Sequence, residues 1–258
     1  MKTSRRRRLA GTALGVLVFI AALCVWEVWA GAADSFLVPT ASDVAKQAWE
    51  IWPTSEFLSE AGASLKRLAA GFAIAAVIGI GLGLLVGASQ KARRTLDPFL
   101  ELLRAVPAIA IVPAAIAILG LGDAQRIAVI AFGLCFPILV NTAEGVRIIP
   151  PEVRDTASML HVGRSERIFR IYFPAALPSI MAGLRVAVSI GLILVVVSEF
   201  VGEGNGLGHL LTVWQSTYAV PEMYAGILFL GLLGYVLNRL FLVVERRVLA
   251  WHYGAVDG

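Results

Sequence analysis

Apolar residues run through this chain in long blocks, and polar residues collect between them. Six blocks reach or approach the about 20 apolar residues that a helix needs to cross the hydrocarbon core of a bilayer. They cover roughly 9–32, 68–88, 98–120, 126–145, 180–201 and 222–244. The third and fourth are joined only by GLGDAQR, a tight turn. The second, GFAIAAVIGIGLGLLVG, places Gly79, Gly83 and Gly87 four residues apart. That spacing either offers a small-residue face to a neighbouring helix or reflects the general tolerance of membrane helices for glycine. In the polar segment 34–66, ASDVAKQAWEIW predicts a short helix capped by Ser42 or Asp43, with Val44, Ala48, Trp49 and Trp52 along one side. GEGNGLGHLLTVWQSTYAVP, over 202–221, predicts a second element outside the spans.

Composition excludes the soluble alternative. The chain has 258 residues, 58% of them hydrophobic and 16% charged, with a mean hydropathy of +0.80. A soluble domain of this length would need about 25% charged residues to cover its surface. Cys24 and Cys135 both lie in apolar runs, so neither a disulfide framework nor a metal site is indicated. His161, His209 and His252 fall outside the spans, and GAS at 87–89 has no companion base at membrane depth, which argues against an intramembrane hydrolase. MKTSRRRR followed by an apolar run from Leu9 to Trp26 looks like the start of a signal peptide. That run is longer than the usual about 7–15 residues, and the bulky Leu23 before Cys24 disfavours lipoprotein cleavage. The expectation is a retained first membrane helix.

Charge sets the orientation. With the N-terminus in the cytoplasm, only Lys46, Lys66, Arg67 and Arg126 of the 22 Lys and Arg fall outside. The expected architecture is therefore an all-α polytopic membrane protein with six transmembrane helices and both termini cytoplasmic. Its divisions are 1–33 (tail and first helix), 34–66 (external), 67–245 (membrane core, with a cytoplasmic loop at 146–179) and 246–258 (tail).

The cytoplasmic loop is the most charged and most broken part of the chain. Pro150 and Pro151 end the helix before it. Residues 152–161 and 164–173 then read as two short amphipathic helices with a bend near His161–Gly163, broken again at Pro174 and Pro178 before the fifth span. Such an element is too charged for lipid and too apolar to stay bare in water. It suits either a protein partner or an anionic lipid surface.

DTASMLHVGRSERIFRIYFP resembles the EAA signature of permease subunits of ATP-binding cassette importers, E-A-A, three residues, G, nine residues, I-x-L-P. Ile171, Phe173 and Pro174 stand at I-x-L-P, Asp155, Thr156 and Ala157 at E-A-A, and His161 at the glycine. Four letters depart: Asp for Glu, Thr for Ala, His for Gly and Phe for Leu. LVPTASDVAKQAW and SLKRLAAGFAIAAVIGIGLGLLVG are similar to the family's short external segment and second helix, and LDPFLELLRAVPAIAIVPAAIAILGLGD, ALPSIMAGLRVAVSIGLILVVVSEF and RRVLAWH, in that order, to its nitrate, sulfonate and taurine branch. The resemblance implies a type I importer-like permease of the plasma or inner membrane whose loop is a coupling helix for a cytoplasmic ATPase. It also implies two such ATPases, a second copy of the permease and an external binding protein. Substrates would be small anions such as sulfonate, taurine or nitrate. At His161, the reading preferred is that Gly163 takes over the bend; a left-handed His161 and a pH-sensing His161 are the alternatives.

No G-x-x-x-x-G-K-[ST] occurs, so ATP and its Mg belong to a partner, and this chain is expected to hold no cofactor, metal or nucleic acid. A stand-alone channel or secondary carrier, which would not need the loop, is the competing class. Polar residues inside spans are candidates for the pathway or a gate: Arg104, Pro107, Pro113, Asn141, Ser189, Ser198 and Glu199. Glu199 either anchors the GEGNGLG turn or gates the external mouth, and repulsion of an anionic substrate favours the anchor. Pro107 and Pro113 are expected to interrupt the third span's hydrogen bonds, either exposing backbone groups to a pathway or making a packing kink.

Overall fold

The computed structural model describes the backbone of residues 2–33, 35–202 and 204–251, with side chains from Leu14 onward. The side chains of Arg5 to Arg8, His252 and most of the expected tail 246–258 lie outside the described residues. All regular structure among the described residues is helical, as expected. The helices are α1 (Lys2–Ala33), α2 (Ala41–Ile51), α3 (Ser55–Ala88), α4 (Gln90–Ala105), α5 (Val112–Leu119) and α6 (Asp123–Arg147). They continue with α7 (Pro151–Met159), α8 (Arg164–Arg167), α9 (Phe173–Glu199), α10 (Leu207–Ser216) and α11 (Val220–Val248). A 3-10 turn, Ala108–Ile111, precedes α5, and a π-helical turn, Ile168–Tyr172, joins α8 to α9.

Five of these segments are long and apolar enough to span a membrane, and a sixth crossing exists only as a broken pair. The expected third span, 98–120, is not one helix. α4 and the segment Ala108–Leu119 meet at 86°. Pro107 has no N–H to continue the ladder, and it holds Val106 in an extended conformation (φ −76°, ψ 120°). Pro113 does not interrupt anything: it lies in the first turn of α5, where a missing N–H is harmless. α3 also starts earlier than the sequence suggested, at Ser55, and takes in the end of the expected external segment.

The chain packs as two compact units, residues through Leu58 with Leu210–Phe229, and Ser59–His209 with Leu230 onward. In the first, Val44 and Ala48 of α2 are buried with Ala225, bordered by Trp26 and Tyr224. Thr40, rather than Ser42 or Asp43, caps α2 by accepting the Asp43 N–H. Ser42 instead donates its N–H (3.0 Å) and hydroxyl (2.6 Å) to the Glu27 carboxylate. Trp52 joins the buried side and donates to the Ala225 carbonyl, whereas Trp49 points away, 84% exposed. Phe57 stacks near Trp214 and meets Phe229 edge-on at 4.8 Å.

In the second unit, glycines set the helix register. Gly79, Gly83 and Gly87 of α3 lie against Ile138, Thr142 and Val146 of α6, an advance in step that makes the two helices parallel. A Cβ on Gly83 would sit 2.7 Å from the Leu139 carbonyl oxygen, so the backbones are as close as the small-residue spacing allows. α9 runs antiparallel to α6, with Gly145 against Ser179, Gly183 against Asn141 and Gly191 against Leu134. Leu68, Ala75, Ile130, Leu134, Ile138, Ala187, Leu194 and Val195 form the shared core.

Gly83→Ala is therefore expected to lower stability by about 1–3 kcal/mol through overpacking. Gly81→Ala, where nothing lies within 4 Å, is expected to be neutral or slightly stabilising. Thermal unfolding of the two purified variants in one detergent checks the difference.

Candidate functional site

Two polar constructions stand at opposite ends of the α6–α9 pair. The first gathers at the start of α3 and α6 and the end of α9. Glu199, the last residue of α9, is completely buried. Arg67, about two helical turns inside the α3 segment of this unit, donates from Nη1 to Glu199 (2.6 Å) and from Nε to Asp123 (2.7 Å). The same guanidinium donates to both the backbone and the side-chain oxygen of Asn205. Ser64 donates to the Glu199 carboxylate (2.8 Å) and accepts the Leu207 N–H (2.8 Å). The Gly208 N–H reaches the same Glu199 oxygen (2.9 Å), the Gly206 N–H goes to Glu60, and Arg126 donates to the Asn205 carbonyl (3.2 Å).

The turn at 204–208 is thus tied down by its own backbone to buried charges. Gly206 (φ 119°) must lack a side chain, because a Cβ there would run into the Glu199 carboxylate. Asn205 supplies only oxygens to the two arginines, and one buried carboxylate gathers donors from Ser64, Arg67 and Gly208. Sequence reasoning singled out Glu199 but missed Ser64, Arg67, Asp123, Arg126 and Asn205. The signal was available: Arg67 and Arg126 were two of the four cations left outside, flanking apolar spans, where a charge requires a partner.

The second construction is the charged loop. Pro151 starts α7 at a position where its missing N–H is not needed. α7 ends in a Schellman motif: the Val162 N–H bonds to the Ala157 carbonyl (3.0 Å) and the His161 N–H to the Ser158 carbonyl (3.1 Å). That motif requires a left-handed residue, and His161 supplies it, at φ 52°. Gly163 is at φ −61°, so the bend is not displaced to Gly163 as expected. The register that placed His161 at the glycine also placed it where the backbone turns. No helix break occurs at Pro174 or Pro178. Pro174 falls in the first turn of α9, and the π turn before it widens the helix where a proline ring would otherwise strike the preceding carbonyl.

Two arginines fasten this loop. Arg154 of α7 donates to the Val146 (2.6 Å) and Arg147 (3.3 Å) carbonyls at the C-terminus of α6, and lies 5.9 Å from the Tyr172 ring centre. Arg167 donates to the Val162 carbonyl (3.3 Å) and, at 3.5 Å, to that of Ala157. Ala157 and Tyr172 are buried beneath them, and Ile171 and Phe173 pack on the same core as Ile149 and Ile180. Asp155 and Thr156 face outward, and Met159 (79% exposed) and Leu160 (72%) project from the turn.

The remaining predicted pathway residues do not form one site. Ser198 is buried and its hydroxyl donates to the Val195 carbonyl (2.8 Å); Asn141 donates to the Pro137 carbonyl (2.8 Å) within its own helix. Ser189 lies on an exposed stripe of α9, and Arg104, Pro107 and Pro113 are exposed on the broken segment.

Residues 76–250 match the family of binding-protein-dependent transport system inner membrane components. The chain belongs to this family. It is a multi-pass inner-membrane permease subunit of the ABC importer class, not an enzyme, and ATP hydrolysis in this family sits in a separate subunit. The permease is 31% identical over 256 residues to the bicarbonate transport system permease CmpB of Synechococcus elongatus, across 95% of this chain and 92% of that one. It is 28% identical to the putative aliphatic sulfonates transport permease SsuC of Bacillus subtilis, across 95% and 90%. It is 34% identical to the nitrate import permease NrtB of Synechocystis, across 72% and 68%. The permease fold is shared with a chain of the inward-facing MetNI methionine ABC transporter (TM-score 0.63, 19% identity, 75% of this chain and 96% of that one). A chain of a bacterial alginate ABC transporter matches over 94% and 93%, with TM-score 0.61 and 13% identity.

Removing one member of a buried ion pair leaves its partner uncompensated, at a cost of about 3–5 kcal/mol. Glu199→Leu and Arg67→Met are each expected to destabilise the permease by that order. The double variant should lose less than the sum, by about 1–3 kcal/mol of coupling, in a double-mutant cycle read by thermal unfolding.

Proposed function

We propose that this permease forms, with a second copy of itself, the translocation pathway for a small oxyanion, and that residues 151–172 couple it to a pair of cytoplasmic ATPases that bind ATP and Mg. An external binding protein delivers the substrate. The sulfonate, bicarbonate and nitrate permeases among its relatives support the substrate class. With the N-terminus in the cytoplasm, α7 and its turn face the ATPases and the Glu199 cluster faces outward.

The observation that carries the coupling reading is an exposed apolar tip on a firmly fastened base. Met159 and Leu160 stand free at the end of α7, while Arg154 and Arg167 tie the loop's backbone to α6 and to itself. A partner that covers the tip gains apolar burial, and the arginine clamps pass its displacement to α6 and, through the π turn, to α9. A stand-alone channel would have no use for such a tip.

The test is co-expression with a candidate ABC ATPase subunit. Met159→Asp and Leu160→Asp, both at exposed positions, should reduce ATPase co-purification by at least about tenfold, as expected when an apolar anchor worth about 1.5–3 kcal/mol is replaced by a charge. ATP-driven uptake of sulfonate, nitrate or bicarbonate into proteoliposomes should fall in parallel. Undiminished ATPase binding and uptake in both variants would refute the coupling role.

A further inference from the structure

α4 is amphipathic in an unusual sense. Its polar residues Arg93, Asp97, Glu101 and Arg104 recur at helical spacing and face a cleft against α6, where they meet Arg147. Its apolar residues turn the other way: Phe99 is 65% and Leu102 69% exposed. A helix with charge on one face and exposed apolar residues on the other turns that charge toward a partner or a water-filled space. The cleft is such a space, a cavity of about 180 Å³ floored by apolar side chains of α6, room for several waters at about 30 Å³ each.

The charges in it are unevenly used. Asp97 accepts from Arg93 (3.0 Å) and lies 3.8 Å from Arg147, which also pairs with Glu144 at 3.4 Å. These contacts tether α4 to α6. Arg104 takes no part in them and has no carboxylate within ion-pair distance among the described residues. Three arginines and two carboxylates line the cleft, with Glu144 at Arg147 just outside the lining, and the Arg147 Nε is buried without a hydrogen-bond partner. A tether would need Arg93, Asp97 and Arg147 only. A further guanidinium with no carboxylate partner, in the same lining as a donor left unsatisfied, is the donor set of an anion site.

We propose that the cleft between α4 and the C-terminal half of α6 binds a small oxyanion group, with Arg104 as its principal charge and Arg147 as the second donor. The chemistry is shared by a sulfonate, nitrate or bicarbonate passing toward the cytoplasm and by the phosphate of an anionic phospholipid. The transported-anion source rests on the proposed function, and places this site at the inner end of the pathway; the binding itself does not depend on transport.

The test uses the full-length permease with Cys24→Ser, Cys135→Ala and Val140→Cys, the last a half-exposed residue of the cleft wall. In nanodiscs of phosphatidylcholine alone, the anionic sulfonatoethyl methanethiosulfonate should label this thiol about tenfold faster than its cationic trimethylammonioethyl counterpart, the size expected of local charge focusing. Arg104→Gln should abolish the preference, and Arg104→Lys should retain most of it. Protection from labelling by ethanesulfonate in these nanodiscs assigns the site to a free anion. Protection only after phosphatidylglycerol is included assigns it to a lipid phosphate. Equal labelling by both reagents, unaltered by Arg104→Gln and with no protection by either, would overturn the proposal. Undiminished uptake by Arg104→Gln, with the charge preference lost, would count against the transport reading and leave the anion site standing.

Discussion

A guanidinium placed among apolar helices must be neutralised where it lies, and Arg67 meets this constraint for most of the protein. Its side chain is 3% exposed, and an unpaired cation in such surroundings would cost several kcal/mol. Pairing with Glu199 fixes the end of α9 against α3, and pairing with Asp123 fixes the start of α6 against both. Once those three ends are pinned, the glycines of α3 fall opposite the backbone of α6, and the core around Leu134 and Ile138 closes. The pair contributes register more than net stability, since a buried ion pair gains little over well-packed apolar residues.

The same helices carry that register to the opposite end. α6 finishes in carbonyls that Arg154 caps, and α9 begins at the π turn that Tyr172 closes. A displacement at the Met159–Leu160 tip thus has stiff elements to act on in both directions. α4 is different: it is held by surface-type pairs through Asp97, each worth at most about 1 kcal/mol, and it leads into the 86° break at Pro107.

Much of this was legible in the sequence, for physical reasons. Spans show themselves because a bilayer demands about 20 apolar residues in a row, and the Gly79–Gly83–Gly87 face because close helix approach demands small residues at fixed spacing. The register of the loop was readable by counting back from Pro174, which put His161 at the turn. Its left-handed φ was not inferred, because glycine two residues later offered a cheaper bend, whereas the Schellman hydrogen bonds to Ala157 and Ser158 fix the turn at His161. The third span misled because LDPFLELLRAVPAIAIVP averages two segments of opposite character across Pro107. The partners of Glu199 could not be read locally: Ser64, Arg67 and Asp123 are brought to it only by three helices packing, from positions far apart in the chain.

The central claim, that the loop tip and the α6–α9 pair move as one body, is tested most directly by electron–electron distances. Spin labels at Ser158→Cys, an exposed neighbour of the tip, and Ile193→Cys on one copy of the permease, with the native cysteines replaced, report the distance from the tip to the far half of α9. In the complex with its ATPases, that distance should stay within about 2 Å between nucleotide-free and ATP-bound states, while the distance between Ser158 labels on the two copies changes by more. A shift within one copy as large as the shift between copies would contradict the account.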